Sequence, residues 1–271
     1  MTKGRIKQEP SLSKQAANPK EIRFSNPLSI SLWILVVLYV AVLLLSAPNW
    51  LLPGEPIWAI KPETLAEVSK ESLNFFFVLP VLSWLISPLI AVPAPVVHPA
   101  SEAFFNFAEA WIFMFLPLLL TDSRGKGLPR LALWSAAMFL TNVFLIPYMA
   151  LRLRKPTEIE PSESAQTVNQ SYLSRAFGAV GLLVGTSAIA WFCLARPEFG
   201  GLAERASYFA EKINSDRVTI SFCVDLALFW IFQAWLMSAV IVEENQQRLL
   251  RFIPFWGLAI WLIANQPSGK S

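Results

Sequence analysis

Long apolar stretches alternate with short polar ones along this chain, and the apolar stretches are continuous rather than alternating residue by residue. A helix needs ~20 mainly apolar residues to cross a bilayer core. Counted against that length, the pattern predicts six membrane helices and a marginal seventh: Ile30–Ala47, Leu73–Val97, Pro99–Leu120, Leu131–Leu151, Arg175–Ala195, Phe222–Val242 and Phe252–Ala264. The expected fold is therefore all-α, a polytopic transmembrane bundle of six to seven helices. The second segment carries Pro80, Pro88, Pro93 and Pro95. Proline breaks the helical hydrogen-bond ladder, and such backbone is tolerated at membrane depth only inside protein or along a cavity. That segment is expected to be irregular and internal, whether it spans or re-enters.

The polar stretches divide the chain. Residues 1–29 form a basic tail with Lys3, Arg5, Lys7, Lys14, Lys20 and Arg23, expected on the cytoplasmic side by the positive-inside rule. Residues 30–151 form a four-helix membrane group and 152–172 a polar linker with Glu158, Glu160 and Glu163. Residues 173–265 form a C-terminal group of two to three helices, and 266–271 a tail. Within the last group, Leu202, Ala206, Phe209 and Ile213 recur at helical spacing while Glu204, Arg205, Glu211 and Lys212 fill the other positions, which predicts an interfacial helix near 202–214. No sequence repeat relates the two groups. Seven spans would distribute Lys and Arg 12 against 10 across the membrane; a re-entrant second segment makes it 14 against 8.

Composition agrees. The chain has 271 residues, 55% hydrophobic and 15% charged, with 11 Trp, 20 Phe and a mean hydropathy of +0.49, against about 25% charged in an average soluble domain. A net charge of +3 and the apolar runs exclude disorder for most of the chain, and nothing points to nucleic acid. Two cysteines, Cys193 and Cys223, make no disulfide framework or thiolate metal site, and a lone histidine, His98, excludes ligation by several imidazoles. No secretory signal leads the sequence, so the first membrane helix is expected to direct insertion.

Function is to be sought among polar groups at membrane depth, where an acid costs roughly 2.5–3.5 kcal/mol. At ~100° per residue Glu102, Asn106 and Glu109 lie within a ~60° arc of the third segment, behind His98-Pro99 at its start. Two readings stand: a capping Glu102 with a buried Glu109 paired to Asn142 or a backbone group, or a ligand, ion or proton site. Asp225 and Gln233, eight residues apart, share the sixth segment with Glu243 at its end; Asp225 reads either as a partner of the helix N-terminal dipole or as part of one polar centre with Glu109 and Asn142. Gln233 is expected to bond another helix. Gly178, Gly181 and Gly185 make a small-residue face for packing within the chain or for dimerisation, and Asp122–Pro129 reads as a tight basic turn. No hydrolase triad, metal motif or nucleotide fingerprint is present.

Val224-Asp225-Leu226, Phe229-Trp230, Gln233-Ala234-Trp235 and Phe252-Ile253-Pro254-Phe255-Trp256-Gly257-Leu258, together with His98-Pro-Ala-Ser-Glu-Ala-Phe-Phe-Asn106, resemble uncharacterised multi-pass membrane proteins of cyanobacteria and plastids. The C-terminal part is also similar to a small membrane family of unknown function with an Asp-Leu pair opening a helix. The resemblance covers roughly residues 90–150 and 195–260 and carries no activity. It implies a photosynthetic membrane, inner or thylakoid; the short tail 1–29, which retains Glu9 and Glu21, makes a poor plastid transit peptide, so a bacterial source is expected. Chlorophyll held by His98, or a carotenoid, is then a candidate cofactor.

Three functions compete. A non-enzymatic scaffold, assembly or pigment- and lipid-binding factor, partnered by the bilayer and a larger membrane complex, requires satisfied acids and an aromatic groove. A small-solute or proton-coupled transporter requires broken helices and a water-accessible cavity at Glu109. An enzyme acting on an isoprenoid or lipid requires Glu102, Glu109 and Asp225 to converge on one apolar pocket. The first leads on sequence; oligomeric state is open.

Overall fold

The computed structural model describes residues 26–86, 94–155, 164–240 and 249–264, with backbone only for 164–171. Every regular element among them is helical. Four helices are long and apolar enough to cross a membrane: Pro27–Leu45, Pro99–Thr121, Tyr172–Leu194 and Arg217–Val240. The basic residues of the tail, the acids of the linker, Glu243, Pro88 and Pro93 lie outside the described residues.

Helix α1 (Pro27–Tyr39) starts with Pro27 at its first position and Asn26 accepting the Leu28 N–H at 3.1 Å. It continues as a π-helical turn, Val40–Leu45. The end of the bundle where α1 starts is here the near end, and that where it finishes the far end. At the far end Arg217 donates to the carbonyls of Ser46, Ala47, Pro53 and Leu52, satisfying groups that a helix terminus leaves open. Helix α2 (Pro62–Leu73) is amphipathic and lies across this end.

The second apolar segment holds α3 (Val78–Ile86). It begins and finishes at the far end, because Asn74 Nδ2 donates to the Pro95 carbonyl at 2.9 Å. Its described ends therefore share one side of the bundle. Helices α4 (Pro99–Phe113) and α5 (Phe115–Thr121) then run to the near end with a break at Met114, three residues before Pro117 removes a donor from the ladder.

The fourth segment, expected as one helix over Leu131–Leu151, is a helical hairpin. Helix α6 (Arg130–Leu140) rises from the near end and α7 (Asn142–Arg152) returns to it. Both feet are fixed there: Arg130 Nη1 donates to the Leu119 and Leu120 carbonyls, and Arg152 forms a two-pronged ion pair with Asp122 at 2.6 and 2.7 Å, both side chains 1% exposed. The tip is Thr141, at φ 39°, in a left-handed region costly for a β-branched residue. A hydropathy count is blind to this reversal, since both limbs are apolar. Tyr148 Oη adds a third bond to Asp122, and a Cβ at Gly125 would collide with that hydroxyl, so the expected basic turn 122–129 is a close-packed foot of the hairpin.

Helix α8 (Ser164–Leu194) begins inside the expected 152–172 linker and runs to the far end. Arg205, 2% exposed, donates to the carbonyls of Gly200, Trp191, Phe192, Ala195 and Arg196, closing that terminus. It sits on α9 (Leu202–Ser215), the amphipathic helix expected near 202–214, which lies across the far end and is linked to α2 by a Lys212–Glu67 ion pair at 3.0 Å. Helix α10 (Arg217–Val240) descends. Residues 249–254 are largely exposed, and Phe255 is buried just before α11 (Trp256–Ala264), which packs on α8: Phe255 covers Gly185 and Leu262 covers Gly178. Met114 covers Gly181, so all three glycines serve contacts within the chain.

Among the described residues the architecture is thus all-helical with four membrane-length helices, and six or seven crossings are not confirmed. Element order is partly shared: each half, α1–α7 and α8–α11, has a rising helix, an amphipathic helix at the far end and a descending helix, and the α3 segment is inserted in the first half alone. The halves form one bundle, with α8 packed between α4 and α11.

Candidate functional site

Two irregularities of the backbone meet at one carboxylate. Tyr39 stands where α1 changes to its π-helical turn, and Thr141–Asn142 form the hairpin tip. Asp225, 3% exposed, accepts from Tyr39 Oη at 2.6 Å, Thr141 Oγ1 at 2.7 Å and Asn142 Nδ2 at 2.7 Å. Asn142 Nδ2 also reaches the Asp225 carbonyl at 3.3 Å. Asn142 opens α7, so the positive end of a half-length helix starts beside this acid. Asp225 itself is the ninth residue of α10, which sets aside the expectation that it merely serves that helix's own N-terminus.

Glu109 lies level with Asp225. On the parallel helices α4 and α10, Phe105 faces Phe222 and Trp111 faces Phe229, each pair of ring centroids 6.0 Å apart, which brackets residue 109 beside 225–226. Glu109 is 4% exposed, and its Oε2 has no hydrogen-bond partner. Asn142, the expected partner of Glu109, is engaged with Asp225 instead, and its own Oδ1 is unpartnered.

Glu102 belongs to a separate junction. Its carboxylate accepts from Asn74 Nδ2 at 2.7 Å and Trp191 Nε1 at 2.9 Å, and pairs with Arg196 at 3.2 Å. It therefore ties the mouth of the second segment to the ends of α4 and α8. Asn106 donates back to the Glu102 carbonyl at 2.8 Å, leaving its Oδ1 unpartnered. Gln233 receives Trp111 Nε1 at 2.9 Å and donates to the Ile253 and Arg251 carbonyls at 2.8 and 3.3 Å, holding the stretch before α11.

His98 caps α4, its Nδ1 accepting from Ala100 N at 3.1 Å. The ring stacks on Tyr208 at 3.5 Å and meets Phe199 edge-on. Burial, with Arg205 and Lys212 nearby, holds the imidazole below its ordinary pKa, so it is neutral at pH 7. With Nδ1 accepting, the proton sits on Nε2 and no lone pair remains for axial ligation unless the cap is broken. Cys193 and Cys223 are free thiols.

An aromatic groove opens sideways between α4, α8 and α9. Its volume is 360 Å³; Ala100, Ala103 and Ala188 form its floor and Phe104, Phe107 and Phe192 its walls. A polar cleft of 340 Å³ lies across the far end near Glu67, Lys212 and Asp216.

The seven site residues expected from sequence thus fall into three junctions and one cap rather than a single centre. Sequence reasoning missed Tyr39, Thr141, Arg196, Trp191 and the Asp122–Tyr148–Arg152 cluster. Tyr39 and Tyr148 left a trace, each as the one phenol in its apolar run. No protein-family model, curated protein or solved structure matches this chain.

Proposed function

We propose that this chain is an integral membrane protein that moves a small solute, with the α6–α7 hairpin as the element that gates its path. One observation carries the reading: the tip of a half-membrane hairpin ends on a buried carboxylate at mid-depth of the bundle. Half-helices whose positive ends start at the midplane, beside intramembrane acids, are the recurring site-builders of transporters. The second apolar segment, whose described ends meet at the far end, supports it. The basic residues 3–23 that precede the first helix support a cytoplasmic N-terminus, and a cell inner or thylakoid membrane is the proposed location; among the described residues Lys61, Lys70, Arg196, Arg205, Lys212 and Arg217 belong to far-end segments.

The test is two-sided access to the tip. In a background with Cys193 and Cys223 replaced by serine, Thr141→Cys in sealed vesicles is exposed to a membrane-impermeant maleimide from each side in turn. Labelling from both sides supports alternating access. Labelling from neither leaves a static bundle and overturns the transport reading.

A second reading is favoured by the aromatic groove: a non-enzymatic assembly or lipid- and pigment-binding factor whose partner or apolar ligand lies along Phe104, Phe107 and Phe192. Carotenoid or chlorophyll co-purifying with the protein, and lost on Phe107→Ala, would support it. The enzyme reading has less support, since Glu102 is committed to Arg196 and Trp191, apart from Asp225.

A further inference from the structure

The hairpin tip has more buried acceptor oxygens than hydrogens to satisfy them. Asp225 takes three donors, all from uncharged side chains. Beside it, Glu109 Oε2 and Asn142 Oδ1 are buried without a partner, on side chains 4% and 0% exposed. Among the described residues no cation acts on Glu109: the charged group beside it is Asp225 on α10, which is itself held by the uncharged Tyr39, Thr141 and Asn142, and on its own helix the charge of Glu102 is matched by Arg196. Burying an unpaired carboxylate in such surroundings costs several kcal/mol by general reckoning, so the missing component is a positive charge or a hydrogen.

We propose that Glu109, level with Asp225 and its hydrogen-bond partner Asn142, binds an exchangeable small monovalent cation, a proton or a sodium ion. The inference rests on the transport reading for what the ion does, namely to couple or gate movement of the hairpin. The donor set suits a hard monovalent ion. Two carboxylates with amide and hydroxyl oxygens lack the nitrogen and sulfur ligands of a transition metal, and no group of three or more His, Cys, Asp or Glu among the described residues could hold a metal ion. A proton on Oε2 turns an orphaned acceptor into a donor; a sodium ion takes up the same lone pairs. Both Asp225 oxygens already accept donors from Tyr39, Thr141 and Asn142, whereas Glu109 Oε2 has none, which makes Glu109 the carboxyl with lone pairs free for the ion.

Two measurements on the full chain in lipid nanodiscs test the site. Sodium is titrated against choline at constant ionic strength and followed by calorimetry. Infrared difference spectra after a pH jump are followed at the protonated-carboxyl band. If sodium is the ligand, wild type binds about one ion per chain and Glu109→Gln loses at least tenfold in affinity. If it is a proton, sodium gives no heat, and a protonated-carboxyl band present in wild type vanishes in Glu109→Gln. Glu109→Asp, which keeps the carboxyl, moves either signal without abolishing it and serves should the glutamine variant fold poorly. Wild type lacking both signals, or a Glu109→Gln variant keeping them, overturns the proposal. Neither readout needs flux: a bound ion at a tip that labels from neither side sinks the transport reading alone, and two-sided labelling without a bound ion sinks the site alone.

Discussion

Asn142 Nδ2 lies 2.7 Å from Asp225 Oδ1, and this bond pins the tip of a helical hairpin to a helix that crosses the whole bundle. Tyr39 Oη donates to the same oxygen at 2.6 Å. Hydrogen bonds to a charged group contribute about 1.5–3 kcal/mol each. Tyr39→Phe removes one donor with little change of shape, so it should lower stability by about that amount in detergent unfolding. In a cycle with Asp225→Asn the two losses should be less than additive by about 1 kcal/mol or more. Additive losses would mean that the phenol packs there without bonding the acid.

The Asp122–Arg152 pair anchors the hairpin's feet, and breaking it should be more severe. Removing one partner of a buried ion pair costs about 3–5 kcal/mol, whereas replacing both by apolar groups of similar volume costs far less. Arg152→Met is expected to destabilise by that amount, and Asp122→Leu added to it to recover part of the loss. Arg152 and Tyr148, bonding the Asp122 carboxyl, hold it below its usual pKa despite burial. A depressed carboxylate contributes stability above its unfolded pKa and loses it as pH falls through the folded one. Wild type should therefore weaken below about pH 4 by a component absent from Asp122→Asn, in melting curves taken against pH.

Glu71, on the inner side of α2, titrates in the opposite sense. Burial, with Glu67 and Asp216 close by, pushes its carboxyl up to about 7. A raised carboxyl favours the fold fully below its unfolded pKa and loses that contribution as pH rises through the folded value. Between pH 5 and 8 the wild type should lose about 1–2 kcal/mol, discounted for a cleft open to water, that Glu71→Gln retains. Parallel pH profiles of the two proteins would place Glu71 in bulk solvent.

Gly185 lies against the Phe255 ring, where α11 begins. Gly185→Val should push α11 off α8 and destabilise by about 1–3 kcal/mol, as overpacking does, while the oligomeric state in detergent stays as it was. A change of oligomer size with stability intact would move the small-residue face from the interior to an interface.

What sequence conveyed well was periodicity and cost. Four membrane-length helices follow from apolar runs, and α9 from the spacing of Leu202, Ala206, Phe209 and Ile213. Cost directed attention to Glu102, Glu109, Asp225 and Gln233, all of them buried. Direction of travel was illegible, because a re-entrant limb and half of a crossing helix have the same composition. The reversal at Thr141 rests on a backbone dihedral and on a bond to a residue 84 positions away. Arginines were misjudged for a related reason. Arg205 falls in the polar stripe of α9, yet it is buried because five carbonyls converge on its guanidinium, a partner set that no local pattern encodes.

The α6–α7 hairpin and the shared ends of the second segment make the sharpest prediction, because they fix which residues share a side. A crossing at 131–151 would separate Ser123 from Lys155 by the whole membrane, whereas a hairpin fixed by Arg130 and Arg152 keeps both on the near end. Likewise Ser69 and Val96 should share the far end, since Asn74 bonds the Pro95 carbonyl. Single cysteines at these four positions, in the background lacking Cys193 and Cys223, are to be labelled with an impermeant maleimide in vesicles of known orientation. Cysteines at 123 and 155 should react from the side of the N-terminus, and those at 69 and 96 from the other. Should 123 and 155 react from opposite sides, α6 and α7 would form a continuous crossing, the Thr141 tip would lose its place beside Asp225, and the gating role argued for the hairpin would go with it.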